Sequence, residues 1–90
     1  MSLSAHIQFI PLKTKEPLSY IDHAIECIKN SGLKYEVGPF GTSIEGEHYA
    51  VQRLIEELLC KSICEEFLVN IQYHVGNTRL LNSEKVSKFK

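Results

Sequence analysis

No run of the sequence is apolar for long enough to cross a bilayer, and no signal-peptide pattern precedes its first periodic segment. Net charge is nearly absent. Ten Lys and Arg against eleven Asp and Glu leave −1, which gives no electrostatic footprint for nucleic acid. Cysteine is scarce: three residues, an odd number, with no Cys-x-x-Cys pair and no zinc-like spacing. That excludes a secreted disulfide framework and points to a reducing cytoplasm. No phosphate loop is present, because Gly38-Pro39-Phe40-Gly41 lacks both the spacing and the Lys-Ser/Thr that would follow it. No nucleophile–base–orienter spacing is visible, so no catalytic residue, metal or cofactor is assigned. Linkers, low-complexity segments and internal repeats are missing as well.

What remains is a 90-residue chain of ordinary globular composition, 43% hydrophobic and 23% charged. A domain of this size buries only about two-thirds of its unfolded surface, so oligomerisation would help its core. Leu3, Ala5, Ile7 and Phe9 alternate with Ser4, His6 and Gln8, which predicts a half-buried strand closed by Pro11. Pro17 suits a first helical turn, and Leu18, Ile21, Ala24, Ile25 and Ile28 share one side of a helix over 17–31. Asn30-Ser31-Gly32 stops it, with Gly32 as the left-handed cap. A second helix starts near Glu47, with Val51, Leu54, Ile55, Leu58, Leu59 and Ile63 as its apolar stripe and Cys60 and Cys64 on its outer side. Phe67, Val69, Ile71, Tyr73 and Val75 give the last strand one apolar face. Strand, helix, strand, strand, helix, strand predicts an α+β split βαβ domain over 1–77. Its antiparallel sheet would run 4-1-3-2, with both helices on one face and the other face bare. The tail, 78–90, still carries Leu80, Leu81, Val86 and Phe89, and Ser83 could cap a short helix there. The expectation is that it packs on a neighbouring subunit or on the bare sheet, with a frayed terminus as the equally good bland alternative.

The middle two strands are the most site-like stretch. Tyr35-Glu36-Val37 alternates, Gly38-Pro39-Phe40-Gly41 turns, and Thr42-Ser43-Ile44-Glu45 alternates again. Thr42 therefore places one hydroxyl on an otherwise apolar face, beside a glycine that leaves the backbone open to close approach. Phe9 lies on the neighbouring strand. From pattern alone, Phe9 as plain core and Thr42 as a satisfied backbone partner is the commoner arrangement.

Tyr35–Gly46 resembles the signature of the small thiamine-binding proteins, once catalogued as a domain of unknown function. Ser4–Leu12 looks like that family's first strand, Ser31–Lys34 like its helix exit, and Glu84–Lys90 is similar to the tail of some members. The resemblance implies a ferredoxin-like fold and a homo-oligomer, dimer or tetramer. It also implies non-catalytic binding of thiamine or its hydroxymethylpyrimidine moiety in a pocket between sheet and helices. Carried over residue by residue, it points to Phe9 and Thr42, and then to Tyr35, Pro39 and Gly41. A flat aminopyrimidine with a cationic thiazolium needs an apolar wall, aromatic surface and a few directed polar groups.

Two other readings compete. His6 and His74 fall on the polar faces of strands expected to be neighbours; if they face each other, a metal-dependent enzyme could use them. The alternative is an ordinary polar sheet face, or one docking a partner chain as an oligomeric interaction module. The RNA-recognition version of this topology fails, because the open face of strand one carries Ser4, His6 and Gln8 in place of aromatics. Cys60 and Cys64 would be adjacent on a helix, but Glu56 and Glu57 beside them disfavour a thiolate.

Overall fold

The computed structural model describes residues 1–90. Strand β1 spans Ser2–Pro11, helix α1 Pro17–Asn30, β2 Lys34–Val37, β3 Thr42–Glu47, helix α2 His48–Cys60 and β4 Phe67–His74. A short helix, α3, follows at Asn82–Val86 and leads into a 3-10 turn at Ser87–Phe89. The sheet is antiparallel throughout and ordered β2-β3-β1-β4, the predicted α+β ferredoxin-like arrangement.

Alternation places the core. Leu3, Ala5 and Ile7 on β1 and Ile44 on β3 are all buried, facing Ala24 and Ile28 of α1 and Val51, Leu54, Ile55 and Leu58 of α2. Burying side chains of the size of Val51 and Leu54 stabilises the fold by about 1.5–3 kcal/mol each, which makes α2 the main anchor of the helical layer. Helix α1 opens on Pro17, whose missing N–H costs nothing in a first turn. It closes at Ser31, whose N–H donates to the Ile28 carbonyl at 3.1 Å, and the chain then turns through Gly32 at φ +80°.

Helix α2 ends three residues short of Ile63. Ile63 is therefore exposed instead of completing the apolar stripe. Cys64 is not on the outer side of a helix. It is buried in the turn before β4, where the Ser62 hydroxyl accepts its N–H at 3.2 Å and its thiol donates to the Glu66 carbonyl at 3.1 Å.

Nor is the second sheet face bare. The tail lies on it, pinned at Glu45. The Glu45 carboxylate accepts from Arg79 Nη1 at 3.0 Å, the Asn82 N–H at 3.1 Å and the Ser4 hydroxyl at 3.2 Å. Arg79 also donates to Ser4 Oγ at 2.8 Å and Ser2 Oγ at 3.0 Å, while the Asn82 amide donates to the Ile44 carbonyl at 3.2 Å. Ser83 is not the cap of α3: the helix begins at Asn82, and the Glu84 carboxylate reaches back to the Leu81 N–H at 2.7 Å.

Candidate functional site

A cavity of about 350 Å³ opens between the helical layer and the β1/β3 end of the sheet. Four elements shape it. Strand β1 contributes Ile7 and Phe9. Helix α1 contributes Ile21 and Ile25, apolar residues left half-buried because the cavity, not another side chain, lies against them. The β2–β3 hairpin supplies Gly38 through Thr42, and Leu58 of α2 reaches in from behind. The volume falls within the range of small-molecule sites, at its smaller end.

Its chemistry is narrow. No Asp, Glu, Lys, Arg or His lines the cavity. Thr42 and Gln8 are the polar side chains on its lining. Thr42 is central in the sheet, paired with Ile7 on one side and Val37 on the other, and it is buried. Its hydroxyl has no hydrogen-bond partner within the protein, yet no fully enclosed side-chain oxygen or nitrogen is left unsatisfied, so this oxygen is open to the cavity. It can donate one hydrogen bond and accept two. Phe9 stacks on Phe67, centroids 4.8 Å apart at 28°, which fixes an aromatic surface at the cavity wall.

The hairpin is tight. The Gly38 N–H donates to the Gly41 carbonyl at 2.8 Å, leaving Pro39 and Phe40 at the tip. Gly41 has a second role. A Cβ there would stand 2.5 Å from the His6 ring, which approaches from the opposite sheet face. The glycine thus makes room for a protein side chain on the opposite face. Of the residues anticipated from sequence, Phe9, Pro39, Gly41 and Thr42 meet at this cavity. Tyr35 does not; it sits on edge strand β2, opposite Ile44, and is 42% exposed. Phe40 was overlooked. It lines the cavity while 80% exposed, and the available signal was an aromatic held between a proline and a glycine at a turn tip.

His6 and His74 are not opposite one another. The β1–β4 register sets His6 against Gln72 and His74 against Ser4, two residues away from the facing arrangement. No three His, Cys, Asp or Glu side chains converge in metal-binding geometry anywhere in the chain. Two of the thiols, Cys27 and Cys60, are unactivated too. Burial first, then the charge of Glu57, pushes the Cys27 thiol up; Lys61 pulls the other way, and the hydrogen bond to Glu57 adds the smallest push. The hydrogen bond to Glu56 and the charge of that carboxylate do the same to exposed Cys60.

A family model described as thiamine-binding protein matches residues 5–87. The chain belongs to the thiamine-binding protein family. It is similar to a UPF0045 protein of Clostridium perfringens, 31% identical over 77 residues that span 78% of this chain and 77% of that one. It is also similar to a solved structure from Thermotoga maritima, described as a candidate thiamine biosynthesis/salvage protein. The TM-score is 0.91 with 29% identity, covering 100% of both chains. A Bacillus cereus domain of unknown function superposes with a TM-score of 0.85 and 29% identity over 100% of this chain and 91% of that one. In this member of the thiamine-binding family, no helix is long and apolar enough to cross a membrane.

Proposed function

We propose that the chain binds thiamine or its hydroxymethylpyrimidine moiety, without catalysis, in the cavity between α1, β1 and the β2–β3 hairpin. The observation that carries this reading is the cavity's composition: an apolar, aromatic wall free of ionised side chains, with one unpartnered hydroxyl, Thr42, open to it. A neutral heteroaromatic ring suits such a wall. It gains burial and aromatic contact from Phe9 and Phe40, and its ring nitrogen or exocyclic amine meets the Thr42 hydroxyl. The thiazolium cation of thiamine would sit toward the open hairpin lip, where the faces of Phe40 and Phe9 offer cation–π contact and water remains within reach. A diphosphate finds no Lys or Arg on this lining, so unphosphorylated ligand is favoured. The absence of a titratable group on the lining leaves nothing to act as acid or base on the bound ring, and supports carriage, storage or sensing over turnover. A cytoplasmic homo-oligomer, dimer or tetramer, belongs to the same proposal; it rests on the family and on the small core.

Isothermal titration calorimetry with thiamine, hydroxymethylpyrimidine and thiamine diphosphate tests the reading. Saturable binding of the first two near one per chain, with the diphosphate weaker, is the expected result. Thr42→Val keeps the side-chain shape, removes the hydroxyl and should weaken binding by roughly 1–3 kcal/mol. No heat from any ligand with the folded protein would discard the ligand class. Unchanged affinity in Thr42→Val would remove the hydroxyl from the site.

A further inference from the structure

The opposite face of the sheet holds a second cavity, of about 370 Å³, between the strands and α3. Its chemistry inverts that of the first. His6, Ser43, Gln72 and His74 rise from three adjacent strands, and Asn82 and Lys85 descend from α3. We propose that this cleft binds a compact oxyanion, a phosphate or carboxylate group, held by Lys85, His74 and the donors of the sheet.

Three observations support it. First, the lining carries a lysine and two histidines and no carboxylate. The acidic residue of the adjoining tail contact, Glu45, is already paired with Arg79 at 3.0 Å and takes further bonds from Ser4 and Asn82, so its charge is spent locally. Second, Lys85 Nζ stands 2.6 Å from His74 Nδ1. An ammonium can only donate, so Nδ1 accepts and His74 carries its proton on Nε2. The pair therefore supplies a cation and, from the far edge of the imidazole, a separate N–H donor. The other contact of Lys85, to Asn82 Oδ1, is long at 3.5 Å, leaving ammonium protons free for an acceptor. Third, the His6 ring lies over Gly41, where the missing side chain leaves it room, so a second imidazole shares the cleft with Lys85 and His74. A set of charged and neutral donors around an open volume is what oxyanion recognition requires.

The test is an NMR titration of the imidazole signals with inorganic phosphate, and separately with succinate, at fixed pH and ionic strength. The chain has four histidines, and His23 and His48 lie outside the cleft, which makes them internal controls. Saturable shifts at His6 and His74 with either probe, and still signals at His23 and His48, are expected. Whichever probe acts identifies the group. Lys85 is exposed, so Lys85→Met should leave the fold intact while weakening the affinity roughly tenfold or more. Thr42→Val, on the other sheet face, should leave it unchanged. Parallel drift of all four histidines, silence with both probes, or full affinity in Lys85→Met would overturn the proposal.

Discussion

A methyl group at position 41 would stand 2.5 Å from the His6 ring and 2.8 Å from the Ile7 carbonyl oxygen. The ring can rotate away; the backbone oxygen cannot. Gly41→Ala is therefore expected to destabilise the protein by about 1–3 kcal/mol in urea denaturation, and His6→Ala in the same chain should recover part of that, not all. Phe40 predicts the opposite balance. It is 80% exposed, so Phe40→Ala should move stability by less than about 0.5 kcal/mol. It should still cost thiamine affinity about 0.5–1.5 kcal/mol by calorimetry, the worth of one aromatic contact. The lone hydroxyl of Thr42 on an apolar alternation was visible in sequence, but pattern alone favoured plain core for Phe9 and Thr42, and only the family resemblance pointed them to a cavity. Ile21 and Ile25 were not separable from core, since a residue half-buried against a cavity and one packed against protein share the same helical spacing.

At the scale of elements, the tail depends on a single acidic side chain. Burial pushes the Glu45 carboxyl up, but hydrogen bonds from Arg79, the Asn82 N–H and Ser4, with the Arg79 charge, outweigh it and hold the group below its ordinary range. A pKa lower in the folded state than in the unfolded one adds stability above the ordinary glutamate range. That contribution is lost as pH falls through that range and past the folded value. Protection of the amides in residues 79–90, taken relative to the intrinsic exchange rate at each pH, should therefore fall on acidification. Arg79→Met should show fast exchange in the tail already at neutral pH and a weaker acid response, with α2 still protected. Leaving a fixed buried carboxylate unpaired costs about 3–5 kcal/mol, but here the tail can lift and return Glu45 to water, so the loss is capped at the free energy of docking. None of this was readable in advance. Arg79 and Glu45 are 34 positions apart, and no periodicity links them. The β1–β4 register escaped for a related reason: alternation tells which face His6 and His74 share, but only a tight turn sets how far one strand slides along another, and these strands are joined through most of the chain. The end of helix α2 is hidden in the sequence because Lys61-Ser62 is a weak stop beside the Asn-Ser-Gly that ends α1.

For the molecule as a whole, the order of elements followed from alternation and helical spacing, and the strand order from the common compact arrangement for that succession of elements, built on a core of ten buried residues. So small a core leaves room for a ligand to matter. Anything bound only to the folded state adds RT ln(1 + [L]/Kd), about 2.7 kcal/mol at a hundredfold excess over Kd. Thiamine should therefore raise the thermal midpoint in a concentration-dependent way. Thr42→Val should show a smaller rise at each concentration.

Strand β3 places Thr42 toward one cavity and its neighbour Ser43 toward the other. Two chemistries are thus written in a single reading frame of alternating letters. Deleting or inserting one residue at the start of that strand would exchange them, turning the hydroxyl of one site into the wall of the other and carrying Ile44 and Glu45 across as well. Each site can drift by substitution independently of its neighbour, whereas any change of length in β3 must rewrite both together. Among descendants of this chain, β3 should tolerate altered spelling and resist altered length, and the place for indels is the tail beyond Asn82 or the loop before α1.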